Sequence, residues 1–89
     1  MQIMEVVGNL IATRKNENLI GSKFMVLKPY KEQSDPQLIV AVDLLGAGVG
    51  EKVLVVTGSS ARKALNKEDV AVDAAIVGIV DNIDIKEWW

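Results

Sequence analysis

Twelve carboxylates, no histidine and no cysteine leave this chain few routes to covalent or acid–base chemistry. Histidine is the commonest general base and the commonest metal ligand. Without cysteine there is no thiol nucleophile, zinc–thiolate site or disulfide framework. A pair of carboxylates can share acid and base roles. Here, however, most of them fall in polar loops or beside other charged residues, the pattern of a solvated surface. Asp43 is the exception, because it follows the apolar run Leu38 to Val42. Its expected role is to accept hydrogen bonds, as a cap on the following glycine loop or on the turn at Ser59 and Ser60. Those two serines have no histidine to activate them, and Lys63 is a poor substitute. No catalytic residue, cofactor site or metal site is expected.

Two glycine features could be taken for phosphate sites. Gly46, Gly48 and Gly50 form a GAGVG loop, but it lacks the lysine–serine ending of a P-loop and lies between two strands. The turn at Gly58, Ser59 and Ser60 does open a short helix, so its amides with Arg62 nearby could hold an anion. The same residues serve equally well as a helix cap and a subunit contact.

Five strands must position these features. Met4, Val6, Gly8, Leu10 and Ala12 share one face of a first strand by simple alternation, opposite Ile3, Glu5, Val7, Asn9 and Ile11. A polar connection over Arg14–Asn18 leads to a second strand, Ser22–Leu27. There Phe24 and Val26 face one way, Met25 and Leu27 the other, and Pro29 ends the strand. Tyr30–Gln37 is a polar loop with a turn at Asp35-Pro36. The third strand is Leu38–Val42 and the fourth Val53–Thr57. A helix over Ala61–Leu65, capped by Ser59 or Ser60, follows, with Asn66 a plausible stop and Lys67–Asp69 a linker. In the last strand alternation places Ala75, Val77, Ile79, Ile83 and Ile85 on one face and Ala74, Ile76, Gly78 and Val80 on the other. A barrel strand has one inward face, so the second apolar face requires cover from a helix, a loop or another subunit. At least one of the terminal Trp88 and Trp89 is expected to dock rather than stay in water. The sum is one all-β domain over residues 1–89. It is a small five-stranded OB-like barrel with its helix after the fourth strand, where the familiar OB-fold has it after the third.

Composition narrows the function. Apolar residues make up 49% of the 89, against a usual roughly 45–50% that counts glycine as well. The excess fits either a well-filled core or burial between subunits. The formal charge of −2 and the scattered Arg14, Lys15, Lys23, Lys28 and Lys31 argue against a nucleic-acid groove, which needs basic and stacking aromatic residues together. The longest apolar run, Ala74–Val80, is far below the roughly 20 residues a membrane span takes. The start carries no basic segment of the kind that opens a signal peptide. A soluble, cytoplasmic structural module is the expectation, and excess apolar strand surface suits a ring closed by one repeated interface.

The central segment Val42–Arg62 resembles the signature of the bacterial microcompartment vertex proteins, the EutN/CcmL family. That signature reads VDxxGAGxGExVLxxxGSSAR. Val42, Asp43, Gly46, Ala47, Gly48, Gly50, Glu51, Val53, Leu54, Gly58, Ser59, Ser60, Ala61 and Arg62 fall on it in register. The opening Gly8–Pro29 is similar to the family's GxVxxTxKxxxLxGxKLLxVxP, and Asp73–Asp81 to its DAxIVGIVD. Tyr30–Gln37 matches least.

The resemblance implies an OB-like barrel assembled as a cyclic pentamer that caps the fivefold vertices of a cytoplasmic protein shell. The shell's facets would be hexameric shell proteins of unrelated fold. A flat hexagonal sheet needs pentagons to close, so this role is geometric, and it involves no enzyme activity, nucleic acid or membrane. It leaves the encapsulated pathway open. On this reading Gly46, Gly48, Gly50, Glu51, Ser59, Ser60, Arg62, Ile76 and Val80 are expected at subunit contacts or around a central axis. The competing readings are a nucleic-acid-binding OB module and the same shell fold in a hexameric state.

Overall fold

A computed structural model describes residues 1–11, 23–31, 34–65 and 72–84. The expectations for Arg14–Asn18, Asn66, Lys67–Asp69, Ile85, Trp88 and Trp89 lie outside these residues. The elements run β1 (Gln2–Leu10), β2 (Lys23–Pro29), β3 (Ile39–Asp43), β4 (Lys52–Thr57), α1 (Ser59–Ala64) and β5 (Ala74–Val80). The strands close into a barrel in the order β1-β2-β3-β5-β4, with β4 returning to β1. All neighbours are antiparallel except β3 and β5, which pair in parallel through Val42 with Ala75 and Asp43 with Ile76. This is the OB-like order, and the helix does lie between the fourth and fifth strands.

The valine and isoleucine content explains the strands, since branched side chains pack well on a pleated, half-buried surface. Met4, Val6, Met25, Leu27, Ala41, Val53, Val55 and Ile76 fill the barrel core. In β2 the expected alternation holds: Met25 and Leu27 are buried, while Phe24 and Val26 are half-buried on the outer face. A second cluster lies on that outer face. Ala61 of α1 and Val72 cover Val42 and Ala75, with Phe24, Val56 and Leu65 around them. The helix therefore supplies the cover that the first half of β5 requires.

Two bulges change which face the later residues occupy. In β1, Val6 faces Leu27 and Gly8 faces Val26, so Val7 is an extra residue without a partner in β2. In β5, Ile76 faces Val55 and Gly78 faces Leu54, so Val77 is likewise skipped. A bulge inserts one residue and shifts the side-chain alternation by one. Gly8 and Leu10 consequently leave the face of Met4 and Val6 and join the outer row with Val26 and Phe24. Ile79 faces buried Val53, on the side of Ile76 rather than of Ala75. Simple alternation is correct only up to each bulge, and β5 ends at Val80 without reaching Ile83.

A carboxylate-filled glycine loop and a glycine-capped turn

The loop between β3 and β4 is built around Asp43. Its side chain is 8% exposed at the end of an apolar strand, where an unpaired carboxylate would be costly. It is satisfied by the loop itself. Oδ1 accepts from the N–H of Leu45 at 2.9 Å and of Gly46 at 3.1 Å, and Oδ2 from the N–H of Ala47 at 2.8 Å. Gly46 makes this wrap possible with φ of 81°, a conformation that costs a residue with a Cβ about 1–2 kcal/mol. Ala47 is drawn inward and joins the barrel core.

A second carboxylate closes the loop. Glu51 accepts from the Gly48 N–H at 2.6 Å through Oε1, and its own N–H donates to the Gly48 carbonyl at 3.1 Å. The loop is then laced to β1: Gly50 N–H donates to the Val6 carbonyl at 2.8 Å and Val6 N–H to the Glu51 carbonyl at 3.0 Å. Successive amides aimed at one point form an anion nest of the kind that binds phosphate. Here the nest is occupied by the chain's own carboxylates, so the glycine loop has no cradle left for a phosphate. What it presents outward is apolar: Leu44, Leu45 at 50% exposure and Val49 at 62%.

The turn before α1 differs from the expectation. Neither Ser59 nor Ser60 caps the helix. The N-cap is Gly58, with φ of 63° and no side-chain cap bond, and the two serines are exposed residues of the first turn. Gly58 N–H is taken by the Asp73 carbonyl at 2.8 Å, which removes one donor from the anion site that the turn could have formed. Arg62 is half-buried, and its Nη1 donates to the Val72 carbonyl at 3.3 Å. It ties the helix to the segment entering β5.

Of the residues expected at subunit contacts, Gly46, Gly48, Gly50 and Glu51 share this one loop, and Ser59, Ser60 and Arg62 share the α1 turn. Val80 is half-buried at the end of β5, opposite Lys52. Ile76 is different. It is 0% exposed within its own barrel core, so its side chain has no surface to offer a neighbour. The bulge at Val77 separates it from Val80, which therefore lies on the other side of the sheet. Sequence reading missed the outward Leu44, Leu45 and Val49. Their signal was available as bulky apolar residues inside a glycine-rich loop, where small polar ones are usual.

A small closed barrel whose glycine loop is filled by its own carboxylates and crested with leucine and valine defines a structural module of OB-like fold. The chain belongs to the EutN/CcmL family: the family model described as ethanolamine utilisation protein EutN/carboxysome matches residues 1–81. It is 43% identical to the microcompartment shell vertex protein GrpN of Rhodospirillum rubrum, over 94% of this chain and 97% of that one. It is 42% identical to the carboxysome shell vertex protein CcmL of Thermosynechococcus vestitus, over 93% and 86%. Among solved structures, the pentameric GrpN shell protein of Rhodospirillum rubrum superposes with a TM-score of 0.79 at 41% identity, covering 96% of this chain and 98% of that one. CcmL of Gloeobacter violaceus gives 0.85 at 38% identity, covering 97% and 91%.

Proposed function

We propose that this chain is a structural shell protein that forms a homo-pentamer and caps the vertices of a bacterial microcompartment in the cytoplasm, among hexameric shell proteins, with no catalytic role of its own. The observation that carries this reading is the match in sequence and fold, over 96% of this chain, to a pentameric shell protein at 41% identity. The subunit adds a physical reason to assemble. A ring of identical subunits repeats one heterologous contact, and apolar side chains such as Leu45 and Val49 standing in water gain by being covered.

The subunit contact is assigned to the Gly46–Glu51 loop, with the turn bearing Ser59, Ser60 and Arg62 and the end of β5 at Val80 as further contacts or axis-lining positions. Ile76 is not part of it. The native mass of the purified protein tests the reading, by native mass spectrometry or light scattering on a sizing column. A pentamer is the expected result, followed by co-assembly with shell hexamers into closed particles. A monomer at every concentration would refute it.

A further inference from the structure

Among the described residues Asp43 is the buried charged side chain, and the hydrogen bonds its carboxylate accepts come from the loop that follows it. Three consecutive amides, Leu45, Gly46 and Ala47, converge on its two oxygens at 2.8–3.1 Å. Bonds from N–H groups to an ionised carboxylate are roughly twice as strong as neutral ones. They turn the chain sharply enough to push Ala47 into the barrel and leave Leu44 and Leu45 pointing out. This shape is complete within one subunit. No second chain is needed to satisfy an amide of that turn.

An interface element that is already ordered before docking loses less conformational freedom when it docks. We propose that Asp43 is a positioning residue for assembly. Its carboxylate holds the Leu44–Gly48 loop in its docking shape in the free subunit, so that the loop is preorganised rather than ordered by its neighbour. This rests on the assignment of that loop to the subunit contact.

Asp43→Asn tests it. The amide keeps the volume but replaces one acceptor oxygen with an N–H donor, so at least one of the three backbone amides loses its partner. The expected result is a folded barrel with one cooperative melt. Its ring should dissociate at a protein concentration roughly tenfold or more above that of the wild type, because ordering the loop is then charged to each docking event. Ile39→Val, at a half-buried residue packed against the barrel core and outside the loop, is the control: its ring midpoint should not move even where its melting temperature falls. If ring loss tracks melting temperature whichever residue is changed, Asp43 acts on the fold alone and the proposal fails.

Should Asp43→Asn not fold, Gly46→Ala decides. Gly46 has φ of 81° and nothing in its own subunit within 4 Å of where a Cβ would stand, so within the subunit the added methyl strains only the loop backbone. The same shift in ring midpoint is expected, and an unmoved midpoint overturns the proposal. A pentameric wild type with unmoved variants removes only this proposal. A wild type that is monomeric throughout removes the ring reading and this proposal with it.

Discussion

The Gly48 N–H donates to Glu51 Oε1 at 2.6 Å, and a Cβ on Gly48 would stand 3.3 Å from that same oxygen. Gly48 does not have a positive φ, so its lack of a side chain serves the carboxylate that folds back over it. Gly48→Val should therefore displace the exposed end of Glu51 and open the loop without touching the barrel. Exposed changes of this kind usually alter stability by about 0.5 kcal/mol or less. Thermal melting should be close to wild type, while sizing-column light scattering should show a ring that dissociates at higher concentration. Equal loss of melting temperature and assembly would place Gly48 in the fold instead.

Arg62 bonds its own chain at Val72, beside the cluster of Val42, Ala61, Val72 and Ala75. Arg62→Ala removes that bond and should destabilise the subunit by about 1 kcal/mol, read from urea unfolding. Ring weakening in this variant has two sources, the subunit and any contact. Arg62→Lys, which keeps the charge but not the planar fork, should restore part of the subunit stability.

The helix start offers a sharper contrast. A serine that caps a helix costs about 0.5–2 kcal/mol when replaced by alanine. Here no side chain caps α1, so Ser59→Ala and Ser60→Ala should leave subunit unfolding unchanged within a few tenths of a kcal/mol. Gly58→Ala should cost about 1–3 kcal/mol, because its φ of 63° and ψ of −139° suit glycine, although the space around it is open. A Ser59→Ala loss as large as that of Gly58→Ala would contradict the glycine cap.

Ile76 and Val80 separate folding from assembly. Ile76 is fully buried with Val53 and Val55, so Ile76→Ala should cost about 2–5 kcal/mol of subunit stability and lose the ring through unfolding. Val80 is half-buried at the strand end, and Val80→Ala should cost under about 1 kcal/mol. Circular dichroism melts and native mass on the same samples distinguish the two.

Much of this protein is legible from residue order. Alternating branched residues define five strands, and a small helix does follow the fourth, although it starts at Ser59 and is capped by Gly58 rather than by a serine. Asp43 after an apolar run marks a hydrogen-bonding cap, on the glycine loop or on the turn at Ser59 and Ser60, and the structure puts it on the loop. The resemblance over Val42–Arg62 names the family, which the comparisons then show. These are local properties, settled by neighbours a few positions apart.

The faces of β1 and β5 beyond Val7 and Val77 were decided only by the tertiary structure. A bulge is a property of two paired strands: Val77 is extra only because Leu54 meets Gly78 and Val55 meets Ile76. No period within β5 encodes that mismatch, so alternation placed Ile76 and Val80 together on a face where a subunit contact was expected. The fold likewise decided what covers Ala75, because Ala61 and Val72 reach it only once α1 has turned back over the outside of the barrel. The glycine loop shows both levels at once. Its composition is written in the chain, but that its nest is filled from within follows from where Asp43 and Glu51 end up in space.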